Sequence, residues 1–437
     1  MRIEDINKIH CIGIGGIGVS AIARYFIEKG KKVSGSDIMN SKIIKQLIDR
    51  GVDVHIGIHT TDNVPKDADV VIYSPAIQRN NPEYVEAVSR VTQVYSYPEM
   101  VAKLMKGFTS IVITGTHGKS TTTAMVGKIF QDSGMKPTVI VGSLVDSFDG
   151  NILVGNGKHF IVEGDEFGAS FLHYYPHILV ITSIEADHLD FYDNVRSIIQ
   201  AFNTLAIRVP EDGFIIAKKD DRNISEALKG VSAKIVYYGK GSKNDHLDVK
   251  LHIPGRHNEL NALAAQVVSE KAGINQESIW KSLKDFKPIW RRFECKGEVN
   301  GILVIDDYAH HPTEIKATLK AAKEKYPSRR LWCVFQPHQR NRTRMLFKDF
   351  IGSFVDADKL ILTEAFFVEG REENESITTK QLYEEIKKKR SAQYIDRVDD
   401  ITENIIPQLQ DGDVVITMGA GNITHVSDQI LHRLKKI

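Results

Sequence analysis

Cysteine is scarce in this chain. Cys11, Cys295 and Cys333 stand far apart in 437 residues, and no two form a C-x-x-C pair. That excludes a disulfide scaffold and a thiolate metal cage, and it points to a reducing compartment. Net charge is missing too: 57 basic residues meet 56 acidic ones, which leaves no field for bulk nucleic acid or an anionic membrane. No apolar run approaches the length of a membrane span. The opening Met1-Arg2-Ile3-Glu4-Asp5-Ile6-Asn7-Lys8 is too polar for a secretory leader. Internal repeats and low-complexity tracts are absent as well. The expectation is a soluble, cytoplasmic protein with neither nucleic acid nor membrane as partner.

What is present is an apolar content of 42%, ample for several cores, and a length that predicts two to four domains. Strand-like runs alternate with helix-like runs throughout, the pattern of parallel α/β sheets. A first unit opens with Lys8-Ile9-His10-Cys11-Ile12, passes through Gly13-Ile14-Gly15-Gly16-Ile17-Gly18, and continues as a helix over 19–29. A second strand, Lys32-Val33-Ser34-Gly35, ends at Asp37, and later strands fall on Val70-Val71-Ile72-Tyr73 and on Val94 with Tyr95. Boundaries near 106 and 288 divide the chain into units 1–106, 107–288 and 289–437. Helices are predicted over 258–271, 312–325 and 379–389. The basic run Lys387-Lys388-Lys389-Arg390 closes the last of these and reads as a solvated face that complements the helix dipole.

The richest segment is Ile111-Val112-Ile113-Thr114-Gly115-Thr116-His117-Gly118-Lys119-Ser120-Thr121. A β-branched strand runs into a glycine-bracketed turn and then into a helix. Such a turn exposes successive backbone N–H groups, and the helix aims its positive end at the same spot. Lys119 adds a cation for the outer phosphates, and the Ser120 hydroxyl can ligate Mg²⁺. The spacing G-x-x-G-K-S is two residues shorter than the common phosphate loop. These parts predict a nucleoside-triphosphate site.

Other constellations stand at strand ends. The Gly13–Gly18 turn with Asp37 fits a dinucleotide or a nucleotide diphosphate, the acid lying where it would meet a ribose. A nicotinamide dinucleotide is the natural first guess for that turn, but it leaves the second phosphate loop unexplained. Glu163-Gly164-Asp165-Glu166 and Ile184-Glu185-Ala186-Asp187-His188-Leu189-Asp190 follow two strands of the central unit. In a parallel sheet these ends share an edge with the phosphate loop. Glu163 and His188 can therefore meet a Mg²⁺ held by Ser120, or His188 can contact phosphate or water instead. Asn258 or Asn261 can read an adenine edge, with His257 stacked on it. Asp306-Asp307-Tyr308-Ala309-His310-His311-Pro312 places two His beside two Asp, yet the wider chain offers no tidy third and fourth ligand for zinc.

Taken in order, these segments, together with Pro254-Gly255-Arg256-His257-Asn258 and Phe335-Gln336-Pro337-His338, resemble the Mur ligase family, the ATP-dependent amide ligases of peptidoglycan assembly. The resemblance spans essentially the whole chain. It implies an α/β protein of three domains: a Rossmann-like N-terminal domain for a UDP-sugar, a central P-loop-type parallel sheet for ATP, and a C-terminal Rossmann-like domain on the amino-acid side. It is strongest toward members that add L-alanine to UDP-N-acetylmuramate through an acyl phosphate, with ATP and Mg²⁺ as cofactors.

By that resemblance Gly13, Gly15, Gly16 and Gly18 cradle the sugar-nucleotide diphosphate, with Asp37 beside it. Gly115, Thr116, His117, Gly118, Lys119, Ser120 and Thr121 hold ATP phosphates, and His257 and Asn261 face adenine. Ser120, Glu163 and His188 attend the metal. Tyr308 and Arg342 face the incoming alanine, and His310 is the candidate base. A monomer or weak homodimer is expected. Two departures stand out: Gln339 replaces the usual first Arg after Phe335-Gln336-Pro337-His338, and Glu163-Gly164-Asp165-Glu166-Phe167-Gly168 differs from the common acidic segment. The stretch before Pro254 is also short. Rival readings are a family member that attaches a recycled tripeptide and a non-catalytic nucleotide-binding module.

Overall fold

A computed structural model describes residues 3–90, 93–189, 191–366 and 378–436. Asp190, which closes the segment after Ile184, lies outside the described residues. The strands gather into separate sheets. The first holds β1 (Lys8–Ile12), β2 (Lys32–Asp37), β3 (Asp53–Ile56), β4 (Val70–Tyr73) and β5 (Gln93–Ser96). It is parallel, in the order β3-β2-β1-β4-β5. The chain leaves β1 toward β2 and later returns to its other side at β4. The glycine turn after β1 therefore sits at the switch point where such sheets open a crevice.

The central sheet holds β6 (Thr109–Thr114), β7 (Thr138–Val145), β8 (Gly150–Leu153), β9 (His159–Gly164), β10 (Ile178–Ile181), β11 (Phe214–Lys218) and β12 (Lys234–Tyr238). Its order is β12-β11-β10-β6-β9-β7-β8, parallel except for the β7–β8 hairpin. Ile111, Val112 and Ile113 of β6 are all fully buried, the unbroken apolar run of a strand covered on both faces. Here too the order reverses at β6, directly under the phosphate loop.

The third sheet holds β13 (Glu294–Val299), β14 (Ile302–Asp307), β15 (Arg330–Phe335), β16 (Lys359–Thr363), β17 (Gln393–Ile395) and β18 (Asp413–Met418). Its order is β13-β14-β18-β15-β16-β17, with β13 antiparallel to β14.

The sheets are tied together. One apolar cluster runs from Ile9, Ile22 and Phe26 into Phe160, Phe171 and Phe202, so the first two units share a core. Across the same seam the Asn151 amide donates to Ser20 Oγ at 2.9 Å and to the Ile17 carbonyl. The third unit meets the second through polar contacts around the phosphate loop, such as Thr313 Oγ1 donating to Glu185 Oε2 at 2.7 Å.

Candidate active site

The phosphate loop takes its shape from glycine. Gly115 (φ 134°) and Gly118 (φ 82°) lie in the left-handed region. A Cβ on Gly115 would collide with the Thr182 hydroxyl, and one on Gly118 with the Asn261 amide. The end of β10 pins the loop from behind: Thr116 N–H donates to Ser183 O at 2.9 Å, and His117 N–H to Ser183 Oγ at 3.0 Å. The helix Lys119–Asp132 starts at once, so its first N–H groups have no helical acceptor and face the mouth of the loop.

Lys119 Nζ donates to Gly115 O at 2.7 Å and to both oxygens of Glu166, at 2.7 and 3.0 Å. Burial works against its charge, but the carboxylates of Glu166 and Asp165 outweigh burial and hold Lys119 above the usual lysine range. Burial also pushes Glu166 up, to about 7, against the pull of Lys119. Glu163 lies at the end of β9, paired in register with Ile113 of β6. Ser120 Oγ donates to its Oε1 at 2.9 Å, and Gly142 N–H to its Oε2 at 2.7 Å.

His188 lies beside a different acid from the expected pair. Ser120 and Glu163 meet each other, whereas His188 stands with Asp165 and Glu166, their ligand atoms all within 4.8 Å. Its Nε2 lies 3.8 Å from Glu166 Oε1. The reason is local: His188 has φ 50°, and its N–H is held by Asp187 Oδ1 at 2.7 Å, which turns the ring toward Phe167 and Glu166.

Beside the loop a cavity opens, lined among others by Thr121, Lys218, Tyr238, His257, Asn261 and Phe286. Burial pushes His257 down to about 4, so its ring is neutral and suited to stacking. Asn258 is committed to the backbone, its amide donating to Pro254 O at 2.7 Å, while Asn261 packs under Gly118.

The third unit closes the other side. Both acids at the end of β14 are structural. Asp306 accepts from Arg291 Nε at 3.0 Å and from Thr417 and Thr424 at 2.7 Å each. Asp307 accepts from Phe293 N–H at 2.7 Å and Ala309 N–H at 2.8 Å. Tyr308 lies under the guanidinium groups of Arg291 and Arg292, 5.0 and 5.1 Å from its ring centre. His310 Nδ1 sits 2.9 Å from Tyr308 O, so it carries the proton and Nε2 the lone pair. Burial, then Arg342, push this imidazole down to about 4.

His311 answers the zinc question in an unforeseen way. Contrary to the expectation that the wider chain offers no further ligands, two groups do arrive, His117 and Glu185, from the central unit. Yet His311 Nδ1 accepts from Thr313 N–H at 3.2 Å, so its Nε2 carries the proton and donates to Ala186 O at 3.3 Å. Neither nitrogen offers a lone pair to an ion.

Arg342 has a protein partner as well. Its Nε and Nη2 donate to Asp187 Oδ1 at 2.9 and 2.8 Å, and Nη1 lies 3.3 Å from His338 Nδ1. An internal carboxylate, rather than open solvent, faces one edge of the guanidinium. In the first unit Asp37 likewise serves the fold: its Oδ2 accepts from Gly15 N–H at 2.9 Å, while Gly13 and Ile14 N–H donate to Ser36 O. The acid expected on a ribose therefore also shapes the turn.

Three family models match consecutive stretches: Mur ligase family, catalytic domain, over 8–109; Mur ligase middle domain, over 113–248; and Mur ligase, glutamate ligase domain, over 291–421. The chain is 38% identical to the UDP-N-acetylmuramate–L-alanine ligase of Alkaliphilus metalliredigens, over 98% of each chain. It is 40% identical to the ligase of that name from Clostridium tetani, over 98% of this chain and 99% of the relative. The chain belongs to the Mur ligase family. Among solved structures it resembles the UDP-N-acetylmuramate-alanine ligase of Thermotoga maritima, with 28% identity, a TM-score of 0.81, and 98% and 99% of the two chains covered. A murein peptide ligase from Psychrobacter arcticus matches at 25% identity and a TM-score of 0.73, over 99% of each chain.

For a Mur ligase the residues at the loop suit their expected guests. Ser120 and Glu163 are hard oxygen donors facing each other, the chemistry Mg²⁺ prefers. The glycine turn and Lys119 suit a chain of phosphates. Sequence reasoning missed Thr182 and Ser183, which brace this Mur ligase's loop, and Glu166, which meets Lys119. The run Glu163-Gly164-Asp165-Glu166 marked the place, but nothing in it said which acid turns inward.

Proposed function

We propose that this Mur ligase joins L-alanine to the carboxylate of UDP-N-acetylmuramate, using ATP, in peptidoglycan precursor synthesis. What carries the reading is likeness over the whole chain, 38–40% identity across 98% of it, to relatives named for that reaction. The murein peptide ligase fold match is looser, with a TM-score of 0.73 against 0.81. A non-catalytic module has no use for Lys119, Ser120 and Glu163 assembled at one loop.

A carboxylate is a poor electrophile, so γ-phosphoryl transfer from ATP would turn it into an acyl phosphate with release of ADP, and attack by the amine would then form the amide and release inorganic phosphate. Lys119 and the loop amides of Gly115, Thr116, His117, Gly118 and Thr121 stabilise charge on the moving phosphoryl group. Mg²⁺, held by Ser120 and Glu163 with His188 nearby, would neutralise phosphate oxygens. His257 and Asn261 receive the adenine. Gly13, Gly15, Gly16 and Gly18, with Asp37 behind them, receive the sugar-nucleotide diphosphate. Tyr308 and Arg342 orient the amino acid. Its ammonium must lose a proton before attack, and the lone pair of His310 Nε2 is the candidate acceptor. An imidazole pushed down to about 4 relays that proton rather than storing it.

We assign 1–106 to the sugar nucleotide, 107–288 to ATP and 289–437 to the amino-acid side. No helix among the described residues is long and apolar enough to cross a membrane. A cytoplasmic location and a monomer or weak homodimer complete the proposal. The test is product mass. With UDP-N-acetylmuramate, ATP and Mg²⁺, L-alanine should yield the alanyl conjugate, while L-serine, glycine and the recycled tripeptide should be poor acceptors. Preferential tripeptide ligation would refute the assignment.

A further inference from the structure

Asp187 is a carboxylate that links the central and C-terminal units. Its Oδ1 accepts from three donors: His188 N–H at 2.7 Å, Arg342 Nη2 at 2.8 Å and Arg342 Nε at 2.9 Å. Both side chains are buried, Asp187 at 7% exposure and Arg342 at 6%. A charge pair this enclosed is costly to assemble unless geometry and hydrogen bonds are good, and removing one partner leaves an uncompensated charge. The pairing is also selective in orientation. It engages the Nε–Nη2 edge of the guanidinium and leaves the Nη1 side toward His338 and the seam between units, where a small cavity is lined by Ala186, His188, Gln339 and Asn341.

We propose that Asp187 is a positioning residue for the amino-acid substrate: it aims Arg342 across the domain seam and ties that aim to His188 on the phosphoryl-transfer side. The inference rests on the reading that Arg342 receives the amino-acid carboxylate. A carboxylate binds a guanidinium through two parallel N–H bonds, so the orientation of the fork decides where the amine points. With Asp187 on the Nε–Nη2 edge, the Nη1 end meets the incoming amino acid. The same Asp187 oxygen fixes the backbone of His188, which holds its left-handed φ of 50° beside Glu166. The side that activates the acid and the side that presents the amine therefore share one carboxylate. The departure at Gln339 sharpens this role. The family's usual first Arg is absent there, and Gln339 is itself a buried left-handed cap with φ 66°. The neighbouring Arg340 instead reaches Glu364 Oε1, at 3.4 Å.

The experiment is steady-state kinetics on the full-length enzyme, with ATP, UDP-N-acetylmuramate and L-alanine each varied, for Asp187→Asn, Asp187→Glu, Arg342→Lys and the Asp187→Asn/Arg342→Lys pair. Misaiming a positioned group by about an ångström typically costs on the order of 10²-fold, so Asp187→Asn should raise the L-alanine KM by at least about tenfold. Its ATP KM should stay within about twofold, because the amide oxygen of Asn can still accept the His188 N–H while the charge that holds Arg342 is lost. The double variant should be little worse than either single one for L-alanine, since both break one unit. Asp187→Glu, which keeps the charge, should recover part of the loss. An Asp187→Asn enzyme whose three KM values are unchanged, or all shift together, overturns the proposal, as does full additivity in the double variant. If Arg342→Lys leaves the L-alanine KM unchanged, the reading of Arg342 itself fails. If Arg342→Lys raises that KM and Asp187→Asn does not, only the role of Asp187 falls.

Discussion

Glu166 presents both carboxylate oxygens to Lys119 Nζ, at 2.7 and 3.0 Å, in the mouth of the phosphate loop. The loop's cation is therefore already paired by the protein, and arriving phosphate oxygens must share it. Glu166 is buried and Lys119 largely so, which makes each depend on the other.

The first prediction follows. Lys119→Ala should lower kcat by about 10²-fold or more, the usual loss for one preorganised donor to a transferring group. It also leaves Glu166 alone in a buried site. Its folded-state value, already raised to about 7 from an ordinary 4.5, should climb further. A carboxylic acid with a raised folded value loses stability as pH rises through that value. The melting temperature of the variant should thus fall further below wild type at pH 8 than at pH 6. A pH-independent gap would mean that Glu166 finds another partner.

Glu83 gives a prediction of opposite sign. It is fully buried on the helix Pro82–Ser89 and accepts from Ser36 Oγ at 2.5 Å and Asn63 Nδ2 at 2.6 Å, with His59 Nδ1 at 2.9 Å and His10 Nε2 at 3.4 Å. Burial opposes its ionisation, but these hydrogen bonds outweigh burial and hold it down to about 2 from 4.5. A lowered folded value adds stability above pH 4.5 and loses it as pH falls toward 2. Glu83→Gln should melt well below wild type at pH 7, and the gap should narrow steadily below pH 4. Thermal unfolding across that range checks it.

Gly15→Val should impair use of UDP-N-acetylmuramate and spare ATP. A Cβ at Gly15 would stand 2.9 Å from both Asp37 Oδ2 and Ile44 Cδ1, so the turn must shift. The expected result is a sugar-nucleotide KM raised at least about tenfold with the ATP KM nearly unchanged, since the backbone must approach the diphosphate closely. Protection of the variant's parent against heating by a nicotinamide dinucleotide, and not by the UDP-sugar, would reverse the assignment of the turn.

Much of this was legible in the chain. The strand ending at Thr114, the glycine-bracketed turn and the helix at Lys119 are local features, and local pattern reports them faithfully. The helix Pro312–Lys325 begins and ends as its Pro and lysines predict. Short or unusual strands were harder. β3 alternates polar and apolar over only four residues and is mostly exposed, and β7, despite its apolar Val139-Ile140-Val141, is broken by Gly142 and a register shift against β8, so both signals are short. The site split the same way. Ser120 and Glu163 meet because adjacent parallel strands end together. Lys119–Glu166, His117–Glu314 and Asp187–Arg342 join residues 47, 197 and 155 positions apart, through turns whose side-chain directions no local pattern encodes. Arg342 was expected at the amino acid from the family resemblance and Asp37 at a ribose from its place at a strand end, and their protein partners emerged only from packing.

The most direct test of the central claim is release of inorganic phosphate by the purified enzyme with ATP, Mg²⁺ and UDP-N-acetylmuramate, with L-alanine added or withheld. The account predicts turnover that needs all of them together, saturates with L-alanine and disappears in Lys119→Ala. Phosphate release that ignores L-alanine, or that the recycled tripeptide supports better, would contradict it.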